Sequence, residues 1–516
     1  MYPYLRLFNT VKFLKFTQIY YRIYYFLIKK IYKKNRVFYK ASTGHALKLI
    51  KSININTLYK EKNKFTFLNL EVTFNSEINW NYSKHGKLWT YNLNYFDYLS
   101  QDNKELNLSL IYSFIENSEM IKDGLEPFPI SLRAMNWVKY LSYYQIEDQL
   151  IDNSLYAQYY ILIDNLEYHL LGNHLLENAF SLLFGAYYFK DERLYKDANK
   201  ILFKELDEQI LVDGAHFELS PMYHKIMLFR VLDSINLLEH NSWKSSKLLN
   251  YLRIIAGKML GWLKAISYKN DEIPLFNDSA KGVAPSNKQL YVYAHKLGVK
   301  IDEIKLLESG YRKISKEYYE CIIDVGVIGA SYIPGHAHAD ALNFEIQFNN
   351  KPFIVDTGIS TYENNSQRIL ERSTTAHNTV EVNSCSQSEV WGAFRVGNRA
   401  NIIELKENEN SIKATHNGYK KEKILHTRKW TFKEHSIIIQ DHLSKSAPAI
   451  ARFHFAPNIK EDEILRSIET LNNNFNIKEY LFSSEFNKKI SALVLEIHFE
   501  EELMVEICNL KLKDFR

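Results

Sequence analysis

The spacing of apolar residues changes once along this 516-residue chain, and that change limits the fold more than any other feature. From about Trp89 to Arg312, apolar side chains recur at three- and four-residue steps, the period of a helix with a buried face. Between 173 and 189 they fall at Leu175, Leu176, Ala179, Leu182, Leu183 and Ala186. Further helices are expected at 106–117, 130–144, 155–170, 196–210, 224–238 and 248–267, joined by short loops. Consecutive helices without strands imply helix hairpins stacked into a ring or solenoid. From about Glu317 the pattern becomes short alternating runs, at 321–333, 342–348, 353–356, 378–382, 400–405, 424–432, 436–441, 449–455, 492–499 and 503–512. Asn349-Asn350 separates two of them as a hairpin turn. The expected fold is α+β and multidomain: an N-terminal arm over 1–80, a helical domain over 81–316 and an antiparallel, sandwich-like domain over 317–516. No glycine- or proline-rich linker marks the junction, so the two large domains are expected to pack closely with a cleft between them.

Composition removes several classes of function. Hydrophobic residues make up 46% and charged residues 24%, a globular balance. Lys and Arg exceed Asp and Glu by 65 − 60 = 5, too little over this length to argue for nucleic acid. Three cysteines exclude a disulfide framework and a four-cysteine zinc site. Tyrosine is abundant, at 36 residues, and aromatic rings also line sugar-binding clefts. No stretch reaches the roughly 18–20 apolar residues of a membrane span. The N-terminus carries scattered basic residues (Arg6, Lys12, Lys15, Arg22, Lys29, Lys30) and no small-residue cleavage site, so no conventional signal peptide is read and a cytoplasmic or membrane-peripheral location is expected. The segment 11–34 is basic, aromatic and amphipathic. It reads either as a helix on an anionic membrane or as an arm packed on the main body.

Four constellations carry chemistry. In Gly172-Asn173-His174-Leu175-Leu176-Glu177-Asn178, Glu177 follows His174 by three residues on one helix face and can orient its imidazole. Asn173 can donate to a carboxylate, or simply cap the helix. In His216-Phe217-Glu218-Leu219-Ser220-Pro221-Met222-Tyr223-His224, Tyr223 lies near a helix N-terminus, where the dipole favours phenolate; local packing is the plainer role. In Gly335-His336-Ala337-His338-Ala339-Asp340, an extended chain would place both histidines and Asp340 on the inward face of a sheet, as metal ligands or proton carriers. In the fourth, Asp356 ends an apolar run and His377 precedes another. His338, Asp356 and His377 could supply two nitrogens and an oxygen to zinc, and Arg368 and Arg372 could bind carboxylate or sulfate.

Together these segments, in this order, resemble the heparinase II/III family of polysaccharide lyases and its alginate-lyase relatives, over roughly residues 89–399. The resemblance implies an incomplete (α/α) toroid followed by an antiparallel β-sandwich domain, and β-elimination on a uronate-containing acidic polysaccharide. It implies that Asn173 and His174 neutralise the uronate carboxylate, supported by Glu177. Tyr223 is then the proton carrier and His336 a second base or carboxylate contact. His338, Asp356 and His377 hold a structural Zn²⁺, with the roles of His336 and His338 interchangeable at this spacing. Two upstream segments, Leu88-Trp89-Thr90-Tyr91-Asn92-Leu93-Asn94-Tyr95-Phe96 and Ser131-Leu132-Arg133-Ala134-Met135-Asn136-Trp137, resemble a branch encoded near bacterial surface-polysaccharide genes. They make Trp89, Arg133, Asn136 and Trp137 candidate sugar contacts. The absence of a recognisable leader departs from secreted relatives and points to glycan processing during assembly. Two other readings stand beside the lyase. One is a non-catalytic glycan-binding or assembly protein on the same fold. The other is a glycoside hydrolase using carboxylates among Glu126, Glu218 and Asp278.

Overall fold

The computed structural model describes residues 3–31, 41, 43–54, 58–60 and 63–509. Two helices, Pro3–Val11 and Phe16–Ile31, open the described chain. The expected single amphipathic segment is therefore broken at 12–15, and its last residues, 32–34, lie outside the described ones. A small antiparallel sheet follows, Leu58–Lys60, Lys64–Phe67 and Leu70–Thr73.

The helical domain runs from Lys87–Tyr95 to Asn287–Lys296. Its long members are Pro127–Tyr144, Gln149–Ile163, Gly172–Phe189, Glu192–Gln209, Pro221–His240 and Lys247–Ile266. Sequence chemistry sets their starts. Asn103, Asp148, Asp191 and Ser220 each accept a backbone N–H at a helix N-terminus, and Pro127 and Pro221 occupy the first helical turn, where the missing N–H costs nothing. Gly172–Phe189 packs against both Pro127–Tyr144 and Glu192–Gln209, and Pro221–His240 against Lys247–Ile266. These packed neighbours build the incomplete toroid. Gly172–Phe189 is its central post: every residue but His174 is buried, as its near-continuous apolar sequence requires.

The strand domain contains three main antiparallel sheets. Tyr311–Ser315, Tyr319–Asp324, Phe344–Phe348 and Lys351–Ile354 form a meander. Its Asn349-Asn350 turn has φ of 50° and 62°, the left-handed pair that a two-residue hairpin needs. A four-stranded sheet pairs Phe475–Glu485, Lys488–Phe499, Ala449–His454 and Val380–Val382, and a six-stranded sheet spans 402–508. One apolar core joins the three, including Phe344, Val380, Trp430, Ile439, Phe453 and Val505. The first strand begins at Tyr311, so the junction falls between 297 and 310, ahead of the expected 316. The end of the last expected strand, 510–512, lies outside the described residues.

Candidate active site

A cavity of about 850 Å³ opens where the toroid meets the strand domain. Its walls include Asn173 and His174 from the central helix, Tyr223 from the neighbouring helix and His336 from a loop of the strand domain. The expected cleft and these four expected residues therefore coincide.

Gly172 makes the junction possible. Its φ is +59°, and a Cβ there would stand 2.6 Å from Glu218 Oε1; only glycine accepts both. Glu218 thus reaches the N-terminus of the central helix, where the Asn173 backbone N–H donates to Oε1 at 2.9 Å and the dipole favours an anion. The Asn173 amide also donates to Oε1 and Oε2, at 3.0 and 2.8 Å. It lies 3.5 Å from His336 Nε2. Burial works against the Glu218 charge, but His216, His336 and Asn173 hold its carboxyl below the ordinary value.

His174 rests on the Phe128 ring and donates from Nδ1 to Glu167 Oε1 at 3.1 Å. Burial alone would lower its pKa; Glu167 outweighs that and raises it. Glu167 is itself held by the Asn178 amide at 3.0 Å. The expected partner Glu177 instead faces the toroid interior, where Arg230 Nε donates to both its oxygens at 2.9 Å. A carboxylate enclosed in that interior requires a cation, so Glu177 is a structural ion-pair partner and Glu167 orients His174.

Tyr223 is the third residue of Pro221–His240, behind the Ser220 cap. Its ring stacks on His336, centroids 3.8 Å apart and planes at 27°, and its hydroxyl accepts from Tyr362 at 3.4 Å. Burial, ahead of every other influence, raises its pKa above the ordinary tyrosine value. The expected dipole-stabilised phenolate is therefore corrected: desolvation wins over the helix end, and the resting group is a phenol.

His336 Nδ1 donates to Asp278 Oδ2 at 2.8 Å. Asp278 is also the partner of His338 Nε2, at 2.9 Å, and receives a two-pronged contact from Arg368 at 2.5 and 2.6 Å. Burial would raise the Asp278 pKa, but Arg368 and the two imidazoles hold it well below the ordinary carboxylate range. Asp278 orients the His336 ring through Nδ1, and Nε2 lies at the cavity wall 3.5 Å from Glu218 Oε2 and from Asn173 Nδ2. The segment 334–342 is a succession of turns and bends, not the expected strand; the two histidines meet because both bond one carboxylate.

Several expected contacts are corrected. Arg368 is wholly buried and taken up by Asp278 and the Ala393 carbonyl. Arg372, also buried, donates to the carbonyls of Ala337 and Ala393, and burial lowers it to about 9. Trp89, Arg133 and Trp137 have no exposed surface. Trp89 packs on Phe67 and Tyr82, Trp137 on Phe96 and Phe114, and Arg133 bonds Gln158 and two backbone carbonyls. Asn136 donates to Tyr95 O and Asp97 beside a separate cavity. Trp89, Arg133, Asn136 and Trp137 were read from the resemblance of their segments and the two arginines from their charge; neither separates a cleft wall from a core.

The metal-ligating expectation rests on His338, Asp356 and His377. Both imidazoles are fully buried, with ring centroids 5.2 Å apart. His338 Nδ1 and His377 Nε2 have no hydrogen-bond partner, while the other ring nitrogens are held by Asp278 and by Asp356, the latter at 2.8 Å. Carboxylate-oriented imidazoles with a free nitrogen are donors suited to zinc. Asp356 is engaged by His377 and by Asn343 at 2.6 Å. Among the described residues, no group of three or more His, Cys, Asp or Glu stands close enough to hold a metal ion. The chemistry of the two imidazoles fits; the three expected ligands do not converge.

Two family models match this chain: the heparinase II/III N-terminus over 135–297 and the heparinase II/III-like C-terminal domain over 300–505. The chain belongs to the heparinase II/III family. The junction between the two models coincides with the change from helices to strands. A heparin-sulfate lyase of Bacteroides stercoris is 24% identical over 331 residues, 59% of this chain and 48% of that protein; the match thus spans about half of that relative's length. Among solved structures, a heparinase III aligns with a TM-score of 0.62 at 15% identity, over 85% of this chain and 80% of its own. The heparan sulfate lyase HepC of Pedobacter heparinus aligns with 0.51 at 16% identity, over 87% and 81%. These likenesses extend the family fold, toroid and β-sandwich, over most of the chain.

Proposed function

We propose that this protein is a polysaccharide lyase that cleaves a uronate-containing acidic polysaccharide by β-elimination. The observation that carries the reading is the stacking of Tyr223 on His336 at 3.8 Å, beside Asn173 and His174 in one cavity. The uronate carboxylate is received by His174 and the Asn173 amide, which Glu218 holds at the cavity wall, and their charge stabilisation grows as C5 loses its proton. The C5–H and C4–O4 bonds break, a C4=C5 double bond forms, and O4 leaves with a proton. In a gluco-configured uronate the two events share one side of the ring, and Tyr223 serves both. In the C5 epimer they lie on opposite sides; His336 Nε2 then takes the proton and the Tyr223 phenol supplies one. The resemblance of the upstream segments to the surface-polysaccharide branch supports a role in processing such a glycan.

The hydrolase alternative needs a protonated carboxylic acid beside the scissile bond. Glu218 and Asp278 are both held ionised by their partners, so neither suits that role. A mere glycan binder has no need of the oriented imidazole and buried phenol. We also propose a structural zinc held by the free nitrogens His338 Nδ1 and His377 Nε2, with Asp356 orienting the His377 ring and not ligating. No step of the elimination passes through it.

The reading is tested with uronate polymers and their carboxyl-reduced counterparts. Cleavage should create new ultraviolet absorbance from the unsaturated product, and reduction to the alcohol should abolish it, because C5–H is then no longer acidic. Equal cutting of both polymers, without new absorbance, rejects β-elimination.

A further inference from the structure

The N-terminal helices wall the same cavity. Leu7, Val11, Leu14, Ile19 and Ile23 line it opposite Tyr223 and His336. One side of the helix pair is fastened to the body. Arg6 pairs with Glu389 at 2.8 Å, Trp391 donates to Thr10 at 3.1 Å and Gln18 to Leu170 O at 3.0 Å. Tyr25 donates to Leu166 O at 2.6 Å, Tyr21 stacks on Tyr168 at 4.7 Å, and Arg399 lies over Phe13 at 3.8 Å. The packed-arm reading is thus realised, and it explains only that side.

The other side is open. Tyr4 is 83% exposed, Phe16 80% and Phe8 64%; Tyr20, Tyr24 and Leu27 are exposed too. A monomer rarely shows so continuous an apolar surface without a use for it. Before Glu61 the sequence contains no Asp or Glu, while it carries Arg6, Lys12, Lys15, Arg22, Lys48 and Lys51. Of these, Arg6 and Lys15 are taken up by Glu389 and Glu208 of the body and Lys51 by Asp102. Within 3–27 Lys12 and Arg22 remain beside the exposed rings, with no acidic residue in the helices themselves, and that surface matches one partner in particular. No helix among the described residues is long and apolar enough to cross a membrane, so the match is to the surface and not to the interior.

We propose that the exposed face of 3–27 seats the protein on an anionic lipid bilayer, with the catalytic cavity opening along the docked edge. The fastened side makes the helix pair a rigid shoe. Because it also walls the cavity, docking places Tyr223 and His336 next to the headgroup layer, where a glycan borne on that surface would enter. The docking itself does not depend on the lyase reading.

The test uses the full chain and vesicles of phosphatidylcholine alone or mixed with phosphatidylglycerol. Expected is co-sedimentation with the mixed vesicles only, weakening as salt rises from about 0.05 to about 0.5 M. The triple variant Phe8→Ser, Phe16→Ser, Tyr20→Ser, none of which lines the cavity, should lose at least about tenfold in partitioning while its turnover of soluble glycan and its melting temperature stay unchanged. Should that variant unfold, Lys12→Glu and the lipid and salt series on the unaltered chain decide alone. No binding to the mixed vesicles, or binding unaffected by salt and by the substitutions, overturns the proposal. So does a concentration-dependent dimer without vesicle binding, since the occupant is then a second copy. Vesicle binding without cleavage of any uronate polymer would reject the lyase reading and leave the docking intact.

Discussion

Tyr223 and His336 come from helix and loop, 113 positions apart by their numbers, yet their rings stack. Burial keeps the phenol protonated, so its removal should strike the proton transfer and not the fold: Tyr223→Phe should melt normally and lose at least about 10²-fold in kcat. Near-normal turnover would take Tyr223 out of the mechanism. In the proposed elimination, Asn173 acts on charge that is greatest in the transition state. Asn173→Ala should therefore lower kcat by about 10²–10³ while KM changes far less; a loss confined to KM contradicts that role. His174 adds a pH signature. Glu167 raises its pKa, so the imidazolium that faces the carboxylate is present below that value and lost as pH rises through it. Glu167→Gln removes the raising charge and should move the alkaline limb of kcat/KM to lower pH. A limb that stays in place would show that His174 does not carry that charge. These four side chains were legible because each motif pairs an unusual residue with a fixed neighbour. Asp278 and Glu167, which orient two of them, sit in segments with no motif of their own. Sequence distance hides a partner that only folding brings near.

At the scale of elements, long helices and short alternating strands were readable where one face is buried. Glu192–Gln209, which buries Leu194, Ala198, Ile201, Leu202 and Leu206, illustrates the first, and His426–Phe432, buried at alternate residues, the second. Several strands escaped notice, among them Tyr311–Ser315 and Ile468–Thr470, and two others show why. Phe475–Glu485 is largely exposed along its length, so no apolar alternation marks it, and Ser411–His416 carries its lysine and histidine among only two apolar residues. The candidate sugar contacts on Lys87–Tyr95 and Pro127–Tyr144 failed for the reverse reason: their conspicuous residues are packed into the core around those helices. Trp137, wholly enclosed there, gives a clear expectation. Trp137→Ala should cost about 3–5 kcal/mol of stability and leave KM of the folded fraction unchanged, as urea unfolding and initial-rate kinetics would report. A raised KM with full stability would return Trp137 to the cleft. The turn-rich segment 334–342 carries the proposed zinc ligand His338 two residues from the proposed base His336. His338→Ala should lose about one equivalent of bound zinc and thermal stability together; metal-free protein of full stability rejects the zinc.

At the scale of the molecule, the candidate catalytic cavity lies between two domains, and Asp278 is one of the side chains that clamp them together. It stands between the last two helices of the toroid, and its partners Arg368, His336 and His338 all belong to the strand domain. Tyr268 and Glu345 repeat the connection nearby at 3.0 Å. An oriented base is therefore a consequence of domain closure, which is why neither domain's sequence alone disclosed it. The clamp has a pH signature whose sign is fixed. The Asp278 pKa is depressed on folding, so its contribution is complete above the unfolded carboxylate value of about 4 and is lost as pH falls below it toward the folded value. Asp278→Asn leaves Arg368 buried without its anion and should cost about 3–5 kcal/mol near neutrality. Because the variant has no carboxyl to protonate there, its stability should change less than that of the unaltered protein between about pH 5 and pH 2. Urea unfolding across that range measures both. Parallel pH curves for the two proteins would show that Asp278 is not an ionised clamp. The orientation of His336 would then need another source.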